Sequence, residues 1–169
     1  STDEEKEFVI KTSKSGRWIL PPLDLLHSDT DHPKSGDISA NVNIIKRTLG
    51  NFWIDVEMGE VSIGPTVTQY TLRPAVGVKL SKITTLKSDL SLALAAHPIR
   101  VEAPIPGKSL VGIEVPNRKT ALVGLRDLID QEDFQKSRYF LPLVLGRDVA
   151  GFPVYAGLER MPHLLIAGA

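Results

Sequence analysis

The sequence predicts an α+β fold, a helix–strand–strand–helix–strand–strand–helix domain with its helices on one face of a mostly antiparallel sheet. Three observations predict it. Apolar residues recur at helical spacing in Ile38, Val42, Ile45, Leu49, in Ile83, Leu86, Leu90, Leu94, and in Leu122, Leu125, Ile129. Between these stretches they alternate instead, as strands require: Ile54, Val56, Met58, then Val61 and Ile63, and later Ile99, Val101, Ala103, Ile105. Gly64-Pro65 and Pro106-Gly107 interrupt the alternating runs where tight connections belong.

In chain order, residues 1–37 read as a linker or tether. They open on Asp3, Glu4, Glu5 and Glu7 and continue through a polar run from His27 to Gly36. The apolar cluster Trp18, Ile19, Leu20, Leu23, Leu25, Leu26 is the exception and is expected to dock on something. The first helix opens with Asp37 or Ser39 as its N-cap. Two strands follow, the second being Val67 to Leu72, ended by Pro74 and Gly77. One longer helix opens near Ser81. A third strand and a fourth (Val111, Ile113, Val115) lead to the third helix, and this domain is bounded at residues 38–138. From 139 a second domain begins, with short strands at Leu141 to Leu145 and Val154-Tyr155 around a Gly146-to-Gly151 turn. Leu164-Leu165-Ile166-Ala167 is apolar without alternation, the pattern of a strand buried on both faces of a parallel sheet.

The 169 residues carry 20 Lys and Arg against 20 Asp and Glu, so no global field attracts nucleic acid and any DNA-facing charge must be local. Absence of cysteine excludes disulfides, zinc knuckles and thiol catalysis. No apolar run reaches the roughly 20 residues of a membrane helix. The segment reads as cytoplasmic, without membrane contact of its own; an anchor elsewhere in a longer parent stays open.

Pro106-Gly107-Lys108-Ser109 ends like a phosphate-binding loop, but the glycine required five positions before Gly107 is Glu102, whose charge would repel phosphate. The segment also lies between two strands and not between a strand and a helix, so it reads as a hairpin turn. His27, Asp29, Asp31 and His32 are ligand types zinc accepts, yet nothing around them is rigid, and a polar linker without metal is the better reading. His97 and His163 read as structural, and Asp127, Asp130, Glu132 and Asp133 as solvated helix faces, so no catalytic residue is assigned.

One local imbalance stands out: Arg73, Lys79, Lys82 and Lys87, with no acid until Asp89. Lys108, Arg118 and Lys119 join it if the two strand–helix halves are related by approximate symmetry. Such a patch suits a DNA phosphate backbone, an ordinary solvated surface or a subunit contact. On one continuous helix Lys79 and Lys82 are neighbours, while Lys87 lies about 140° from Lys82.

Long segments resemble the FtsK/SpoIIIE DNA translocases in the same order. They are Gly64-Pro-Thr-Val-Thr-Gln-Tyr-Thr-Leu-Arg-Pro-Ala-Val-Gly-Val-Lys79, the helix from Ser81 to Ala96, Ile99 to Asn117, Leu145 to Pro153, and Met161 to Gly168. Pro21 to Leu26 fits the family's lead-in more loosely. The resemblance implies an α domain over 38–138 and, over 139–169, the first strands of a RecA-like α/β motor (β) domain, left incomplete. It implies a hexameric ring of self-associated subunits around double-stranded DNA, driven by ATP and Mg2+ in the complete parent and acting in chromosome segregation, cell division or DNA transfer. Gly168 would be the first glycine of the Walker A loop and Ala169 the next residue. The loop's lysine and magnesium-binding hydroxyl, the Walker B carboxylate and the winged-helix γ domain are not in these 169 residues, so the chain alone is expected to hydrolyse no ATP and to hold no cofactor. Two other readings compete: a stand-alone oligomerisation or docking module, and a small DNA-binding domain without motor activity.

Overall fold

Asp37 caps the first helix as its position before the apolar stripe requires, its carboxylate accepting the Ala40 N–H at 2.9 Å. This is a computed structural model, and it describes residues 21–28 and 32–167. Helix α1 (Ile38–Asn51) turns Ile45 and Leu49, both fully buried, onto the sheet. It ends in a Schellman arrangement, with Trp53 N–H on the Gly50 carbonyl and Ile54 N–H on Leu49. Trp53 sits there at φ 59°, a left-handed position usually taken by glycine.

Strands β1 (Val56–Ile63) and β2 (Val67–Pro74) pair antiparallel across the Gly64-Pro65 connection. The alternation predicted the strands but not the bulge between Met58 and Val61. There Gly59 and Glu60 oppose Thr71 alone, and the Thr71 hydroxyl donates to the Glu60 carbonyl at 2.7 Å. The single helix expected from Ser81 is two: α2 (Leu80–Thr85) and α3 (Lys87–Ala93), broken at Leu86. Ile83 and Leu90, seven residues apart on either side of the break, are both fully buried in the core. Strand β3 is shorter than its alternation, Arg100–Glu102, and β4 runs Val111–Pro116.

The sheet order is β1-β2-β4-β3, antiparallel throughout, so two hairpins meet along their inner strands with Tyr70 opposite Ile113. All three helices cover one face, where Ile45, Leu49, Tyr70, Leu72, Ile83, Leu90 and Ile113 form the centre of the core. Each of these side chains contributes roughly 1.5–3 kcal/mol by leaving water. The opposite face is polar, crossed by the row Ser62, Gln69, Glu114, Arg100.

After β4 the chain is stitched back by Asn117 and then forms α4 (Leu125–Ile129) and α5 (Glu132–Gln135). The third predicted helix is therefore a short one that excludes Leu122, which is exposed in the preceding loop. Strands β5 (Pro142–Arg147) and β6 (Pro153–Gly157) make a separate antiparallel pair. The Asp148 carboxylate shapes its turn by accepting from the N–H groups of Ala150 and Phe152. Several contacts among the described residues hold this hairpin to the first unit, including the Phe134 ring, whose centroid lies 5.6 Å from that of Tyr155. The Tyr155 hydroxyl donates to the Leu128 carbonyl at 2.7 Å, and the Val149 carbonyl packs directly on Gly64.

The strand expected at Leu164 to Ala167 is not formed: Leu164, Leu165 and Ile166 lie in no strand and are exposed. A doubly buried strand needs a neighbour on each side, and no described strand pairs with it. Trp18, Ile19 and Leu20 lie outside the described residues, and Leu25 of the same lead-in is exposed.

Candidate nucleic-acid interface

The sheet separates the predicted cationic residues into three groups. Lys79 caps α2, Lys82 lies within it and Lys87 opens α3, all exposed on the helical layer. Because the helix breaks at Leu86, the angle reckoned on one continuous helix does not apply to Lys87. Helix α1 adds Lys46 and Arg47, adjacent and exposed on the same layer. Sequence reasoning missed this pair because it read α1 only for its apolar stripe. Asp89 is the one carboxylate inside these three helices, and none of the five cations has an ion pair among the described residues.

Arg73 and Lys108 belong to the opposite, polar face of the sheet. They line a cavity of about 310 Å³ together with Glu57 and Glu60, and Arg73 stands directly across from Glu57 in the β1–β2 register. Arg100 on the same face lies 3.6 Å from Glu102. Carboxylates thus offset the positive charge of this face, which is a poor match for a phosphate backbone. Arg118 and Lys119 sit at the far end of β4, where Lys34 forms a two-residue bridge with Lys119. Of the residues that approximate symmetry was expected to bring in, Lys108 joins Arg73 in the cavity, whereas Arg118 and Lys119 lie past the other end of β4.

The Gly-Lys-Ser sequence is a turn between β3 and β4, as its missing first glycine required. Ile105 N–H donates to Leu110 O at 2.8 Å, Lys108 N–H to Ile105 O at 3.0 Å, and Gly107 has φ 74°. No helix follows, so no row of free N–H groups faces a phosphate. Gly168 and Ala169 lie outside the described residues, as do Asp29 and Asp31 of the His27-to-His32 run. Among the described residues no group of three or more His, Asp or Glu side chains could hold a metal ion, and no helix is long and apolar enough to cross a membrane.

Burial of Tyr70 raises the pKa of its phenol above 10.0; its hydrogen bond from Asn41 opposes that rise and the nearby Asp37 carboxylate adds to it. The group fixes α1 on the sheet. It is too enclosed to do acid–base work, being fully buried.

Residues 20–117 match the family model described as the FtsK alpha domain, which is more than half of the chain. The chain is 46% identical over 155 residues to the DNA translocase FtsK of Halalkalibacterium halodurans, covering 90% of this chain and 20% of that protein. It is 45% identical over 167 residues to the DNA translocase FtsK of Caldanaerobacter subterraneus subsp. tengcongensis, covering 98% of this chain and 23% of that protein. With the DNA translocase FtsK of Staphylococcus aureus the identity is 42% over 171 residues, covering all of this chain and 21% of the relative. The chain thus spans about a fifth of the length of the curated relatives it matches. On the family model, these identities and an antiparallel α+β fold that follows the resembling segments in order, the chain belongs to the FtsK family of DNA translocases.

Proposed function

We propose that this chain is the ring-forming, DNA-enclosing part of an ATP-driven double-stranded DNA translocase, acting in chromosome segregation, cell division or DNA transfer. The observation that carries the DNA-facing half of this reading is the segregation of charge. A chain with zero formal net charge gathers Lys46, Arg47, Lys79, Lys82 and Lys87 on its helical layer, while Arg73, Lys108 and Arg100 on the sheet face stand among Glu57, Glu60 and Glu102. A surface of that kind follows phosphates and ignores base identity, as a pump that moves along any sequence must. Ring formation by self-association rests on the family membership.

The Gly-Lys-Ser segment is a hairpin turn and is not offered as an ATP site, and the loop implied by resemblance opens only at Gly168 and Ala169, outside the described residues. In this reading the part played by this chain's own residues is to bind backbone charge through the helical layer that carries Lys46, Arg47, Lys79, Lys82 and Lys87.

The test is double-stranded DNA binding by the complete protein across a salt series, with and without Lys79→Glu plus Lys82→Glu. The slope of log affinity against log salt becomes shallower by about two units if both lysines contact phosphates. An unchanged slope returns these lysines to ordinary solvated surface.

A further inference from the structure

The end of helix α1 reverses the usual placement of glycine. The left-handed residue that closes it is Trp53, at φ 59° and 95% exposed, where glycine is the favoured residue. Glycine stands instead at Gly50, inside the last turn, where it weakens the helix. A Cβ on Gly50 would meet nothing within 4 Å, so close packing within the chain does not require glycine there. The indole, almost wholly in solvent, likewise gains the fold nothing by burial. Departures from local preference that the fold itself does not use point to function.

Both departures act on one surface. Asn43, Lys46, Arg47 and Gly50 are exposed and spaced three and four residues apart, so they share one side of α1. The Trp53 N–H donates to the Gly50 carbonyl at 3.0 Å, which sets Trp53 at the end of that stripe. Gly50, without a side chain, is a bare floor between the tryptophan and the two cations. Lys46 and Trp53 are seven residues apart, about 10 Å at the rise of a helix. Asn43, Ile44, Lys46 and Arg47 line an open hollow of about 410 Å³ farther along the same helix. Asp55 lies two residues past Trp53, and Asp89 on the neighbouring α3. The stripe is therefore cationic at Lys46 and Arg47 and closer to neutral beside the indole.

We propose that this stripe binds an unpaired DNA strand, with Lys46 and Arg47 on its phosphates and a base stacked on the Trp53 ring. Cations beside an aromatic face hold single strands without reading their sequence, because every base has a flat face to offer. A duplex presents its phosphates but keeps its base faces stacked on one another. The exposed indole therefore finds a partner only where bases are unpaired, at a strand end, a gap or a melted stretch. The bare floor at Gly50 leaves room for the strand to lie between ring and cations. This site rests on the DNA-facing reading of the helical layer above and adds a second form of ligand to that layer.

The experiment measures, by fluorescence anisotropy, binding of the complete protein to a labelled oligo-dT strand and to a labelled duplex of equal length. Trp53→Gly removes the ring where glycine is the favoured residue, so the melting temperature holds or rises. Its oligo-dT affinity is expected to fall about tenfold, while duplex affinity stays within about twofold. Trp53→Phe keeps an aromatic face and most of the oligo-dT affinity. Gly50→Leu places a helix-favouring side chain on the bare floor, so it raises the melting temperature and weakens oligo-dT binding severalfold. Oligo-dT binding unchanged in Trp53→Gly, or equal losses on strand and duplex, overturns the site. Trp53→Phe as weak as Trp53→Gly overturns the stacking, and Gly50→Leu binding as the wild type does overturns the part given to the floor. A wild-type protein that binds duplex and not oligo-dT overturns the site and leaves the duplex reading standing. One that binds neither overturns both.

Discussion

The Thr68 hydroxyl donates to Oδ1 of Asn117 at 2.7 Å, and both residues are buried although 49 positions separate them. Nδ2 of the same amide donates to the Gly64 carbonyl at 2.9 Å, and the Asn117 N–H to the Thr66 carbonyl. One side chain therefore closes the β1–β2 connection onto the end of β4, at the point where the β5–β6 hairpin also rests. Replacing it with alanine strands the Gly64 carbonyl and the Thr68 hydroxyl in a dry site. Asn117→Ala is expected to cost about 2–3 kcal/mol, and Thr68→Val about 1 kcal/mol, in urea denaturation.

Gly64 and Gly50 give opposite outcomes for the same substitution. A Cβ on Gly64 would stand 2.4 Å from the Val149 carbonyl oxygen, a backbone atom that can yield only by moving the hairpin. Gly64→Ala is expected to destabilise by roughly 1–3 kcal/mol. Gly50 lies inside α1 with nothing within 4 Å of the added carbon, so Gly50→Ala is expected to stabilise by about 0.5–1 kcal/mol. Thermal melts of the two variants side by side check the sign of each.

Tyr70 gives the fold a pH dependence with a definite sign. Burial keeps its phenol protonated in the folded state above the ordinary value of 10.0. The unfolded chain therefore releases this proton first as pH rises. Stability from Tyr70 is whole below pH 10 and falls as pH climbs through the window between 10.0 and the raised folded value. Tyr70→Phe is expected to lose about 1 kcal/mol at neutral pH with the Asn41 bond, and to show a flatter decline of stability above pH 10.

The sheet was legible in the sequence because its inward residues alternate without exception along β2 and β4, where Tyr70, Leu72, Val111, Ile113 and Val115 all face the core. The bulge at Gly59 and Glu60 was not, since it preserves apolar residues on both sides and only changes the count between them. The break at Leu86 was hidden for a similar reason. Ile83, Leu86 and Leu90 keep helical spacing across it, and no proline or glycine marks it. The expected strand at Leu164 to Ala167 failed because an apolar run fixes composition and not pairing. At the candidate interface Lys79, Lys82 and Lys87 were found as a run in sequence, whereas Lys46 and Arg47 join them only through the packing of α1 beside α3. Arg118 and Lys119 were grouped with them by an assumed symmetry, but the length of β4 carries them to the other end of the sheet.

In the proposed function the helical layer, and not the polar sheet face, meets DNA. The rates of DNA translocation and of DNA-stimulated ATP turnover by the complete protein, with charge reversed on one face at a time, test this. Reversing Lys79 and Lys82 to glutamate is expected to slow both rates about tenfold without lowering the melting temperature, because exposed charges change stability little. Reversing Arg73 and Lys108, which share their cavity with Glu57 and Glu60, is expected to leave both rates within twofold of the original. Equal losses from the two faces, or a loss confined to Arg73 and Lys108, would contradict the account.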